Sequence, residues 1–73
     1  VATGLRKYYE ILKSKPKDSD DTIKSRYRQL VREYHPDKIA AKGLPEEFTK
    51  LATDKFREIQ EAYEAVKEAR GIS

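Results

Sequence analysis

Apolar residues fall into three runs at helical spacing, separated by breaks that carry proline. Leu5, Tyr8 or Tyr9, and Leu12 recur three or four residues apart and predict a short first helix from about Leu5 to Leu12. Ser14 to Lys17, with Pro16, breaks that helix. Ile23, Tyr27, Leu30, Val31 and Tyr34 form a second stripe on one helical face. Ser19 is a good N-cap for it, and Asp20 and Asp21 fall in the first turn, where the helix dipole favours anions. Pro36 lacks an amide hydrogen and pushes His35 away from the α region, so the second helix stops there. Ile39 to Leu44, with Gly43, reads as a loop. A third stripe of Phe48, Ala52, Phe56, Ile59, Ala62, Tyr63 and Val66 runs to about Arg70. Pro45 suits its first position, Glu46 and Glu47 its first turn, and Gly71 its end.

Two long helices joined by a short connection, each with one apolar stripe, predict an all-α antiparallel helical hairpin. The short first helix covers the hairpin's exposed seam. No strand, repeat or second domain is visible, so residues 1–73 form one domain. The lack of an initiator methionine points to a domain excised from a longer protein. Lys50 with Asp54, Arg57 with Glu61, and Glu64 with Lys67 are charge pairs at helical neighbours, each contributing about 0.2–0.5 kcal/mol. Packing in so short a chain supplies only about 3–5 kcal/mol of net stability.

Composition narrows the function classes. The absence of cysteine removes disulfides and thiolate metal sites. No stretch approaches the roughly 18 apolar residues needed to span a bilayer. Arg6, Lys7 and Glu10 interrupt any apolar signal segment. The net charge of +3 is unevenly placed. Lys24, Arg26, Arg28, Arg32, Lys38 and Lys42 face only Glu33 and Asp37 in the middle of the chain, whereas the third helix is acidic on balance. At about 100° per residue, Lys24, Arg28 and Arg32 fall in one stripe beside the apolar seam of the second helix. Arg26 projects on the other flank. Tyr27 lies on the border, open between core residue, contact residue and both. The basic stripe suits an acidic partner, with a solvated face as the plain alternative. It runs straight into His35-Pro36-Asp37, which reads either as a helix stop with a turn or as a presented corner.

Catalysis by His35 lacks a partner: there is no cysteine, and none of the serines sits in a nucleophile-like motif. His35 and Asp37 supply two metal ligands, short of the four of structural zinc. No cofactor is implied. Nucleic-acid binding by the basic helix is the general rival. Against it stand the acidic third helix and the lone Gln29, which offers little base readout. Membrane-surface binding needs free large apolar residues, which here belong to the core.

Several segments together resemble the J-domain of DnaJ-type co-chaperones. Tyr8-Tyr9-Glu10-Ile11-Leu12 is similar to the family's first helix. Ile23-Lys24, Tyr27-Arg28, Leu30 and Tyr34-His35-Pro36-Asp37-Lys38 resemble its second helix and signature loop. Lys55 to Glu64 resembles its third helix. Ala41 to Glu46 and the ending Val66 to Gly71 are similar to the DjlA type, a membrane-anchored bacterial DnaJ-like protein with a C-terminal J-domain. No fourth helix with a basic-alanine motif follows, and Arg26 stands where a small residue is common, which leaves partner preference open. The resemblance implies a module, not an enzyme, that binds a DnaK-type ATPase chaperone and stimulates its ATP hydrolysis. It implies that Lys24, Tyr27, Arg28 and Arg32 dock on an acidic patch. His35, Pro36 and Asp37 then reach the region between the chaperone's domains, with Lys38, Lys55, Phe56 and Arg57 as further contacts. Phe56 is also placed in the core by its spacing. Nucleic acid is not an implied partner, and this segment is not implied to touch a membrane directly. The implied location is the cytoplasmic face of the bacterial inner membrane, with the tether in the rest of the parent protein.

Overall fold

The computed structural model describes the backbone of residues 2–72 and the side chains of residues 4–72; Val1 and Ser73, the ends of the expected 1–73 domain, lie outside it. Four helices follow one another: α1 (Ala2–Ile11), α2 (Asp20–Tyr34), α3 (Pro36–Ala41) and α4 (Glu46–Arg70). No strand occurs among the described residues. The all-α hairpin with a short packing helix is therefore the observed architecture, and α3 is an addition to it.

The long helices run antiparallel. Asp20, Tyr27 and His35 along α2 and its end meet Arg70, Tyr63 and Phe56 of α4 in turn. As one set of numbers rises the other falls. Tyr27 and Tyr63 stack with ring centroids 3.9 Å apart and planes within 9°. The core holds Tyr9, Leu12, Ile23, Leu30, Ile59, Ala62 and Val66, drawn from all three apolar stripes. Tyr9 takes the buried place that spacing left open between it and Tyr8, which is only partly buried. α1 lies against α4.

Local chemistry sets the ends. Ser19, extended at φ −70° and ψ 160°, caps α2: its Oγ accepts from the Thr22 N–H at 3.2 Å. The chain leaves α1 through Lys13, which is left-handed at φ 54°. The Lys13 N–H donates to the Glu10 carbonyl (3.0 Å) and the Ser14 N–H to the Tyr9 carbonyl (2.8 Å). That is a Schellman pattern with lysine in the place usually held by glycine. Gly71, at φ 71°, closes α4 in the same manner, without a Cβ penalty.

Five sequence-based expectations need correction, the last being the surface charge pairs. First, α1 starts at Ala2 and not near Leu5. Second, Ile39 to Leu44 is not all loop, because α3 continues to Ala41. Pro36 ends α2 and also starts α3, since a missing N–H costs nothing at the first helical position. Ile39 turns inward and is buried. Third, Pro45 is the N-cap of α4 and not its first helical residue. Its ψ of 151° keeps it extended, while its carbonyl accepts from the Phe48 and Thr49 amides. Fourth, Phe48 leaves the core, with 56% of its surface exposed, beside Leu51 at 63%. α2 ends where α4 has reached about Phe56, so the first turns of the 25-residue α4 run past the hairpin. The pairs Lys50–Asp54, Arg57–Glu61 and Glu64–Lys67 do not close as ion pairs; among the described residues only Arg70–Asp20 and His35–Asp37 come within 4.0 Å.

Candidate functional site

His35-Pro36-Asp37 occupies the corner between α2 and α3. Pre-proline sterics hold His35 at φ −58° and ψ 137°, outside the α region, which bends the chain there. One residue then serves two helices. His35 ends α2, and its own groups cap α3. Its carbonyl accepts from the Ile39 N–H at 3.0 Å, and its ring Nδ1 accepts from the Asp37 N–H at 3.2 Å. The Asp37 carboxylate lies 3.8 Å from the same Nδ1 and is almost fully exposed. Phe56 of α4 approaches the imidazole edge-on, with centroids 6.1 Å apart and planes at 74°. An aromatic edge contact of this kind contributes about 0.5–1.5 kcal/mol beyond burial.

The basic stripe leads into this corner. Lys24 is half-buried, and Arg28 and Arg32 are exposed at successive i+4 positions of α2. Arg28 Nε donates back to the Lys24 carbonyl at 3.5 Å, which lays its side chain along the helix. Arg26 and Lys38 are exposed. Tyr27 is half-buried; its burial, and then the nearby Tyr63 and Glu64, raise its phenol above the ordinary tyrosine value. It therefore belongs to the inter-helix packing and still reaches the surface. On α4, Lys55 and Phe56 are half-buried and Arg57 is exposed. The His35–Phe56 contact places this segment beside the corner. The structure thus brings His35, Pro36, Asp37 and Phe56 together, with Lys24, Arg28 and Arg32 along the adjoining helix.

Chemically the corner offers hydrogen-bonding groups and charges to a partner. A cleft of about 310 Å³, open to solvent, is lined by Glu33, Tyr34, Lys38, Ile39 and Lys42 around the corner. Its lining carries no serine, threonine or cysteine. No three potential metal ligands gather among the described residues.

The capping role of His35 and the far-end role of Arg70 were missed by pattern reasoning. Arg70 Nε donates to the Tyr9 hydroxyl (2.9 Å), Nη1 to Asp20 Oδ1 (2.7 Å) and Nη2 to the Pro16 carbonyl (2.8 Å). The Asp20 hydrogen bond raises the guanidinium pKa further above its ordinary value. This network ties α1, the following loop and α2 to the end of α4. Its partners lie 50–61 residues away in the chain, so no local spacing announces it.

Comparison with known proteins gives a consistent result. The DnaJ domain family model matches residues 7–71. The chain is 51% identical over 62 residues to "Co-chaperone protein DjlA" of Escherichia coli, covering 85% of this chain and 23% of that protein. It is 44% identical over 71 residues to the protein of the same name from Vibrio parahaemolyticus, covering 97% and 25%. The Shewanella oneidensis protein of that name is 41% identical over 70 residues, covering 96% and 27%. The chain therefore spans about a quarter of the length of these relatives. No solved structure matches it.

Proposed function

The chain belongs to the DnaJ domain family, and on that premise we propose that it binds a DnaK-type heat-shock chaperone and stimulates its ATP hydrolysis. The observation that carries this reading is the His35-Pro36-Asp37 corner, presented at the end of a basic helix face and backed by Phe56. The names of its relatives support a co-chaperone role. The nucleotide and the catalytic groups belong to the chaperone, so this domain acts by contact.

The groups divide the work by position. Lys24, Tyr27, Arg28 and Arg32 dock on an acidic patch of the chaperone. Exposed charges at an interface rim govern encounter rate and salt dependence. His35, Pro36 and Asp37 reach the region between the chaperone's nucleotide and substrate domains. To stimulate turnover they must bind one chaperone state better than another, because a ligand shifts an equilibrium only by its differential affinity. Lys38, Lys55, Phe56 and Arg57 add contacts at the α3 and α4 side of the corner. In the parent protein the domain works at the cytoplasmic face of the inner membrane, held by a tether elsewhere in that protein. No described helix is long and apolar enough to cross a membrane itself.

The test is ATP turnover by a DnaK-type chaperone with and without the domain, run beside a salt-titrated gel shift with random duplex DNA. Stimulated turnover supports the reading. Strong duplex binding with a steep salt slope and no effect on turnover would replace it with a nucleic-acid-binding function.

A further inference from the structure

Three large apolar side chains stand outside the core, and all belong to one stretch: Leu44 is 39% exposed, Phe48 56% and Leu51 63%. The first turns of α4 run past the end of α2, which does not reach Phe48 or Leu51. Apolar groups gathered on one surface and rimmed by charge mark an interaction site. At about 100° per residue, Glu47 and Lys55 lie about 40° to either side of Leu51, and Phe48 about 60° round on the Lys55 side. Glu47, Leu51 and Lys55 thus form one row at four-residue spacing, with an acid one turn before the leucine and a base one turn after it. Neither charge is paired within the domain, since among the described residues only Arg70–Asp20 and His35–Asp37 come within 4.0 Å.

We propose that this face binds a second copy of the chain, the two α4 helices crossing antiparallel about a twofold axis at Leu51. Antiparallel reversal lays the residue four before Leu51 against the residue four after it. Glu47 of one copy then meets Lys55 of the other, and the twofold axis makes the same pair twice. Each charge sits about 6 Å from Leu51 along the helix at 1.5 Å per residue, so the two spans match. A parallel pairing would set Glu47 against Glu47 and Lys55 against Lys55, so the order of charges selects the antiparallel one. Rows of residues four apart pack on one another at a crossing angle of about −50°. The two leucines meet at the crossing, with a Phe48 ring beside each, and the charges form the rim. Few side chains take part, short of the roughly 1,200 Å² that stable interfaces bury, so the association is weak and reversible. It does not depend on the co-chaperone reading.

Sedimentation equilibrium of the whole chain, carried from micromolar to millimolar concentration, tests the contact, with amide chemical shifts followed over the same range. Wild type should dimerise toward the top of the range, with shifts that move with concentration confined to the segment from Leu44 to Lys55. Leu51→Glu sets two carboxylates against each other on the axis and should abolish the dimer. The position is exposed, so helical circular dichroism should stay unchanged. Glu47→Lys and Lys55→Glu each replace two opposite-charge pairs with two like-charge pairs, and each should weaken self-association roughly tenfold. An equimolar mixture of those two variants restores both attractive pairs and should associate at least as well as wild type. A chain monomeric throughout the range overturns the proposal. If the Phe48 and Leu51 amides then shift only on addition of a DnaK-type chaperone, the face belongs to that partner instead. Self-association that survives Leu51→Glu places the contact elsewhere and also overturns it. A mixture no better than the separate charge variants overturns the antiparallel pairing on which the choice of partner stands.

Discussion

Replacing Arg70 with methionine removes three hydrogen bonds at the end of the hairpin remote from His35. The α2 residues between Asp20 and His35 put the two ends about 22 Å apart at 1.5 Å per residue. Methionine keeps much of the aliphatic stem, so the change isolates the polar head, whose guanidinium carbon lies 5.4 Å from the Tyr9 ring centroid. A hydrogen bond to a charged group contributes about 1.5–3 kcal/mol net when well buried. The Arg70 side chain is only 17% exposed, but Asp20 is 53% exposed, which moves that ion pair toward the range of about 0.2–1 kcal/mol for surface pairs. With the bonds to the Tyr9 hydroxyl and the Pro16 carbonyl added, the loss is about 2 kcal/mol in total. In a domain of this size each kcal/mol shifts Tm by about 4–8 °C, so the melting point should fall by roughly 8–16 °C. Urea denaturation followed by far-ultraviolet circular dichroism measures it, with the slope m unchanged if the unfolded state is unaffected. Double-mutant cycles with Tyr9→Phe and Asp20→Asn apportion the loss. A loss below about 0.5 kcal/mol, the scale of an ordinary surface substitution, would refute the argument that this network ties the ends of the domain together.

Lys13→Gly should stabilise the domain by several tenths to about 1 kcal/mol, because Lys13 is left-handed at φ 54° and glycine adopts that region without a Cβ penalty; an unchanged or lower urea midpoint contradicts it. Burial raises the Tyr27 phenol in the folded state. Its contribution is therefore complete below the unfolded tyrosine pKa of about 10 and declines as pH rises through the higher folded value. Wild type should lose stability at alkaline pH more steeply than Tyr27→Phe, as read from urea midpoints across that range. Arg28→Ala should slow association with a DnaK-type chaperone more at low salt than at high salt, because an exposed charge acts over a Debye length of about 10 Å at 0.1 M. Stopped-flow binding at two salt concentrations checks this, and an equal effect at both would remove Arg28 from electrostatic steering.

The parts of the structure legible in the sequence are those with a local, repeated signal. The apolar stripes placed the core residues of α2 and the second half of α4, and Ser19 marked a cap that the Thr22 amide bears out. Pro36 fixed the conformation of His35 through a steric rule. α3 escaped because six residues with one inward apolar side chain, Ile39, are too short for a periodic pattern. Phe48 followed the pattern but not the packing, since nothing in its own spacing tells how far α2 reaches. Arg70 was hidden for a related reason. Its partners Tyr9, Pro16 and Asp20 are neighbours only after the hairpin has closed. At the corner itself, the residues of the motif were visible. The bond that makes His35 a cap was not, because it depends on the angle at which α3 leaves the proline.

The most direct test is single-turnover ATP hydrolysis by a DnaK-type chaperone, measured alone, with the domain and with His35→Gln. Wild type should accelerate hydrolysis. His35→Gln, with its helical circular dichroism nearly unchanged, should give none. Acceleration by His35→Gln equal to wild type, or no acceleration by wild type, would contradict the account.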